Sequence, residues 1–127
     1  MQTAEIMFYP DGNKTVSLMC ESASTFFSKI KGLMNKSSLD GNKGMLFTFW
    51  FSWYRIFWMK NVRIPLDIIF INKDFRIMKI YEAPVELHGP YTWYRSKGLC
   101  KYVVECNLGF CKKNKIKSGD CVSVQIV

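Results

Sequence analysis

Phe57-Trp58-Met59-Lys60-Asn61-Val62-Arg63-Ile64-Pro65-Leu66-Asp67-Ile68-Ile69-Phe70-Ile71 sets three polar side chains, Lys60, Asn61 and Asp67, in the most apolar part of the chain. Such side chains are seldom buried without a partner. The run is therefore either a core with an internal polar network or the floor of a binding site. Its pattern reads as a hairpin. With a four-residue connection, Val62 to Pro65, Asn61 lies opposite Leu66 and Lys60 opposite Asp67, their Cβ atoms roughly 5 Å apart. With three residues, Met59 opposes Asp67 and Lys60 turns to the other face. Pro65 cannot donate to a ladder, which favours the first register. The Lys60–Asp67 pair so expected is either a buried salt bridge or an ammonium and a carboxylate facing a cleft.

Upstream, Gly44 to Phe49 reads as a strand. Trp50 to Ile56 either continues it or forms a loop over a pocket, and burial as ordinary core is the favoured reading. Thr3 to Tyr9 and Thr15 to Met19 read as an opening hairpin around Pro10-Asp11-Gly12-Asn13. Ser22 to Leu33 reads as a helix, with Ser22 or Ser24 as its cap and Phe26, Phe27, Ile30 and Leu33 on one face.

Downstream, Asn72-Lys73-Asp74-Phe75 reads as a turn into a strand over Arg76 to Tyr81. Ala83 to Tyr94 reads as loop, Lys101 to Cys106 as a strand, Asn107 to Lys115 as a short helix or turn, and Cys121 to Val127 as the closing strand. By parity, Cys100, Tyr102, Val104 and Cys106 share one face. The expectation is one domain over residues 1–127, mainly β (α+β), a compact barrel or sandwich with one substantial and one short helix.

The formal net charge is +8, and aromatics make up 16% of the chain. Lys112, Lys113, Lys115 and Lys117 lie close together, with Lys29, Lys31 and Lys36 as a looser group. Basic groups of this kind attract nucleic acid, anionic lipid or acidic ligands, although the simplest reading is a solvated face. The five cysteines are odd in number and include no Cys-x-x-Cys. Residues 1–9 carry no secretory pattern, so a cytoplasmic protein with reduced thiols is expected. Phe47 to Met59 is too short to span a bilayer, and no membrane partner is expected.

No serine has a nucleophile-elbow context, and no glycine-rich phosphate loop is present. Cys106-x4-Cys111 with Cys121 is poor metal-ligand spacing. No metal or cofactor is expected. His88, the single histidine, sits beside Gly89-Pro90 and reads as a surface residue.

Gly32-Leu33-Met34, Gly44-Met45-Leu46-Phe47, Phe57-Trp58-Met59-Lys60-Asn61 and Ile64-Pro65-Leu66-Asp67-Ile68-Ile69-Phe70-Ile71 occur in that order. Together with Val104-Glu105, Gly109 and Gly119-Asp120, they resemble a prokaryotic family known as domain of unknown function 192. The resemblance runs from about Ala23 to Val127 and implies a small, mainly β domain. It brings no established activity. Two positions depart from the family pattern. Lys29 and Lys31 stand where an arginine is common, and Leu108 precedes Gly109 where a small residue is usual. The candidate site the resemblance points to is Trp58, Lys60, Asn61, Asp67 and Glu105.

Three functions compete. The first is a non-enzymatic domain that binds a small polar ligand or sugar through those five residues. The second is nucleic-acid binding through Lys112, Lys113, Lys115, Lys117 and exposed aromatics. The third is an enzyme in which Lys60 and Asp67 share acid and base roles.

Overall fold

A computed structural model describes residues 2–12, 14–24 and 32–127. The strands are β1 (Thr3–Tyr9), β2 (Val16–Ala23), β3 (Lys43–Trp53), β4 (Ile56–Phe57), β5 (Leu66–Ile71), β6 (Ile77–Ala83), β7 (Tyr94–Arg95), β8 (Cys100–Asn107) and β9 (Cys121–Ile126). Among the described residues there is one short helix, α1 (Phe110–Lys113). The expected helix over Ser22 to Leu33 falls mostly on residues 25–31, which lie outside the described residues. Its expected start is corrected, because Ser22 and Ala23 close β2.

Seven strands form one sheet in the order β6-β5-β8-β3-β2-β1-β9, and β4 and β7 form a separate two-stranded ribbon. β2 and β3 pair in parallel, and every other pair is antiparallel. A parallel pair needs a long crossover, and residues 24–42 supply it. The sheet curls until its two edge strands meet at one end. There Arg76 and Cys121 form a single bridge, Ile77 N–H donates to the Asp120 carbonyl (3.0 Å) and Val122 N–H donates to the Phe75 carbonyl (2.9 Å).

The curl separates two apolar clusters. The inner one takes Ile6 and Phe8 from β1, Leu18 from β2, Ile69 and Ile71 from β5, Val104 from β8 and Val122 from β9. Strands from both ends of the sheet order meet in it, which only a curled sheet allows. The outer one takes Phe47, Ile68, Phe70 and Val103 from the central strands, with Met59, Val62, Ile64 and Tyr94 laid over them. β5 is therefore buried along its whole length, as its uninterrupted apolar run suggests. Cys100 belongs to the outer cluster and not with Val104 and Cys106. The β3–β8 register shifts between Thr48 and Trp53, and strict parity fails there.

The hairpin expected over residues 57–71 does not form. β5 pairs with β6 and β8, β4 pairs with β7, and residues 58–65 run as a strap across the outer face. Burial of the aromatic run is also overturned. Trp50, Phe51, Trp53 and Tyr54 are exposed, because the β3–β8 ladder breaks register between Thr48 and Trp53 and no described element is layered over that end.

Candidate functional site

The strap is held to the sheet at Arg55. Its backbone N–H donates to Ser96 Oγ (3.0 Å), and its Nε–H donates to the Cys100 carbonyl (3.3 Å). The guanidinium lies 3.9 Å from the centre of the Phe49 ring and also donates to the Phe51 carbonyl. Partial burial lowers the Arg55 pKa from its ordinary value. Past Arg55, Phe57 packs edge-on against Phe47 (5.0 Å between centroids) and Phe70 (5.8 Å).

Between strap and sheet lies a cavity of about 520 Å³. That volume is within the range of small-molecule sites, roughly 300–1,000 Å³. Phe47, Phe49 and Glu105 belong to its sheet side, Leu33 and Met34 to one wall, and Tyr54 to Trp58 with Lys60 to the other.

Glu105 is the residue of most chemical interest. On β8 it stands between Met45 of β3 and Ile68 of β5, both in the outer cluster. Its side chain therefore shares their face. It is 3% exposed, and no described residue donates a hydrogen bond or an ion pair to its carboxyl. Burial without a partner penalises the carboxylate, and the pKa is pushed up to about 8. At neutral pH most of the population carries a proton on Glu105, so it can donate a hydrogen bond into the cavity.

The cavity brings together three of the five sequence candidates, Trp58, Lys60 and Glu105. The Lys60 ammonium lies 5.5 Å from the Trp58 ring centre, an exposed cation–π contact. Asn61 does another job. Val62 N–H donates to the Met59 carbonyl (3.1 Å), closing a turn in which Asn61 takes φ 60°. Asn tolerates that left-handed conformation better than most residues. The Asn61 carbonyl then accepts from Asn35 N–H (2.9 Å), which fixes the neighbouring wall.

Asp67 is 1% exposed and points to the other side of the sheet. Its Oδ1 accepts from Gly109 N–H (3.2 Å) and its Oδ2 from Cys111 N–H (2.9 Å), which caps α1. The expected Lys60–Asp67 pair is thus corrected: Lys60 is exposed on the strap and Asp67 is buried beneath α1. The acid–base enzyme built on that pair falls with it.

Asp120 is likewise structural, accepting from Lys117 N–H and from Lys117 Nζ, both at 2.8 Å. Of the lysine run, Lys112 pairs with Glu82 (3.1 Å) and Lys117 with Asp120 and Asp11. His88 is exposed.

Sequence reasoning missed Phe47, Phe49 and Arg55 as site residues. A signal was present: Met45, Phe47 and Phe49 alternate, as do Val103 and Glu105, so odd positions on both strands share the outer face.

The family model DUF192, described as "Uncharacterized ACR", matches residues 8–124. The chain belongs to the DUF192 family. A crystal structure from Sinorhizobium meliloti 1021, named as a candidate transcription regulator, is similar at TM-score 0.89 and 28% identity, covering 96% of this chain and 93% of that one. A protein of unknown function from Novosphingobium aromaticivorans DSM 12444 is similar at TM-score 0.86 and 32% identity, covering 94% of this DUF192 chain and 83% of its own. No curated protein matches the chain.

Proposed function

We propose that this DUF192 chain is a small-molecule-binding domain and that the cavity over Glu105 is its site. The observation that carries this reading is a buried carboxyl, to which none of the described residues donates, on the wall of an aromatic-lined cavity. Burial penalises its charged form, and a ligand that accepts a hydrogen bond from the protonated Glu105 gives the carboxyl a partner. Phe47, Phe57 and Trp58 offer faces to a ring, and Lys60 offers a charge at the rim. The fitting ligand has a flat or ring-shaped body with polar substituents, a sugar or heterocycle among them.

A thermal-shift screen of ring-bearing polar compounds tests this. Glu105→Leu removes the polar anchor and fills the apolar site, so the fold survives it. Compounds that stabilise the native chain should lose their effect in Glu105→Leu and weaken in Lys60→Ala. Hits that keep full affinity in both variants place binding elsewhere and refute the reading.

A further inference from the structure

All four tryptophans, Trp50, Trp53, Trp58 and Trp93, are exposed, Trp50 to 91%. Trp is usually well covered in a folded domain. Trp50 and Trp53 lie at the Cys100 end of the sheet, and Trp58 and Trp93 flank the β4–β7 ribbon, which Arg55 ties to that end through Ser96 and Cys100. Phe51, Trp53 and Tyr54 pack edge-on in a chain (6.5 and 5.9 Å between centroids), and Trp58 packs against Tyr91 (5.8 Å). β4 and β7 bring the two segments side by side, with Ile56 opposite Arg95. Trp53 stands opposite Cys100, next to the exposed Leu99.

Basic residues dominate this end, although the Glu86 carboxylate reaches it by accepting from Thr92 N–H (3.2 Å) and Thr92 Oγ1–H (3.1 Å). Residues 50–60 and 91–101 hold Arg55, Lys60, Arg95, Lys97 and Lys101, and no Asp or Glu. Lys101 Nζ donates to the Trp50 carbonyl (2.6 Å), and the Arg95 guanidinium lies 5.2 Å from the Trp93 ring centre. The cations are interleaved with the aromatics.

We propose that this end of the molecule docks on the surface of an anionic lipid bilayer. Trp and Tyr favour the headgroup level, and each Lys or Arg near an anionic leaflet adds attraction. Two features favour lipid over a nucleic-acid strand. The rings pack edge-on against each other where base stacking needs open faces, and the exposed aliphatics Ile56 and Leu99 belong to the same surface. The lysine run at Lys112 to Lys117 follows the far end of β8, an eight-residue strand roughly 25 Å long, so it does not continue this patch. Among the described residues no helix is long and apolar enough to cross a membrane. The proposal is docking at the surface; Tyr54 to Trp58 and Lys60 also line the cavity, so its test rests on Trp50, Trp53 and Lys97, which do not.

Flotation of the full chain with vesicles of phosphatidylcholine, with and without phosphatidylglycerol, tests it. The chain should float only with the anionic vesicles, with its Trp emission shifted to the blue. Trp50→Ala with Trp53→Ala should weaken binding by about tenfold while far-UV circular dichroism stays native. Lys97→Ala should weaken it by roughly fivefold, an effect erased by salt. The proposal is overturned if the chain does not float with anionic vesicles at low salt, or if the double Trp variant binds them as tightly as the native chain. It is equally overturned if those tryptophans mediate self-association or oligothymidylate binding and no vesicle binding is seen.

Discussion

The Asp67 carboxylate and the Cys111 amide are joined by a 2.9 Å hydrogen bond that ties β5 to the first turn of α1. The Gly109 amide donates to the other carboxylate oxygen. The negative charge therefore faces the free N–H groups of a helix start, where it is favoured. Asp67→Ala strands a buried donor, Cys111 N–H, and a half-buried one, Gly109 N–H. Hydrogen bonds to a charged group are worth about 1.5–3 kcal/mol each. Urea unfolding should show a loss of about 3 kcal/mol or more, while Lys60→Ala stays within about 0.5 kcal/mol of the native chain. Equal losses from the two changes would restore the ion pair that the fold denies.

Gly44 opens β3 where its neighbours are closest. A Cβ there would sit 2.6 Å from the Glu105 carbonyl oxygen, 3.0 Å from Leu18 and 3.2 Å from Cys20. The nearest atom is backbone, so relief means moving β8 away from β3. Gly44→Ala should cost about 1–3 kcal/mol by overpacking, read as a lower urea midpoint with an unchanged slope. An alanine variant as stable as the native chain would show that the two strands stand further apart.

Thiol chemistry should separate the cysteines by depth. Cys20, Cys100, Cys106 and Cys111 are buried, and Cys121 is half-buried. Burial pushes the Cys20 thiol up to about 12. The Cys111 thiol beside Cys106, together with burial, raises the Cys106 pKa well above its ordinary value. Thiolate is the reactive form. Ellman's reagent on the native chain should label Cys121 first, and the other four on the timescale of unfolding. Cys121→Ser should abolish the fast phase, and a fast phase that survives it would contradict this ordering.

The strands were legible because their turns carry local chemistry. Asn72 Oδ1 accepts from Asp74 N–H and Arg76 N–H, both at 3.0 Å, and Asn72 begins a turn readable without a structure. The strap was not legible. Residues 57–65 are rich in strand-forming types, yet their partners lie far along the chain, at Ser96 and Cys100 for Arg55. Asp67 finds its donors more than forty positions away, and nothing local distinguishes that cap from a cross-strand ion pair. Family resemblance named Trp58, Lys60 and Glu105 together with Asn61 and Asp67. Only the fold separates the three that line a cavity from Asn61, which shapes its wall, and Asp67, which caps α1 on the other face. The exposed aromatics were misread for a related reason. A run such as Trp50 to Tyr54 is apolar enough for core, and only the pairing partner decides whether another layer covers it.

Glu105 should leave its mark on stability against pH. The unfolded chain holds this carboxyl near its ordinary 4.5, and the folded chain holds it at about 8. Between those values the folded state keeps a proton that the unfolded state has released. Stability falls wherever the folded state binds more protons and pH rises. The contribution of Glu105 is therefore full below pH 4.5, declines through the window and levels off above about 8. Each tenfold difference in proton affinity is worth about 1.4 kcal/mol, so the loss is measurable by thermal melting. Glu105→Gln keeps the shape and removes the titration. The variant should match the native chain at the acid end and melt at a higher temperature at the alkaline end. The difference between the two curves isolates Glu105 from the other carboxylates. A flat difference would mean that water or another group already meets the carboxylate in the folded chain. As pH rises through about 8, a ligand that accepts a hydrogen bond from Glu105 should bind more weakly, and Glu105→Gln should remove that dependence.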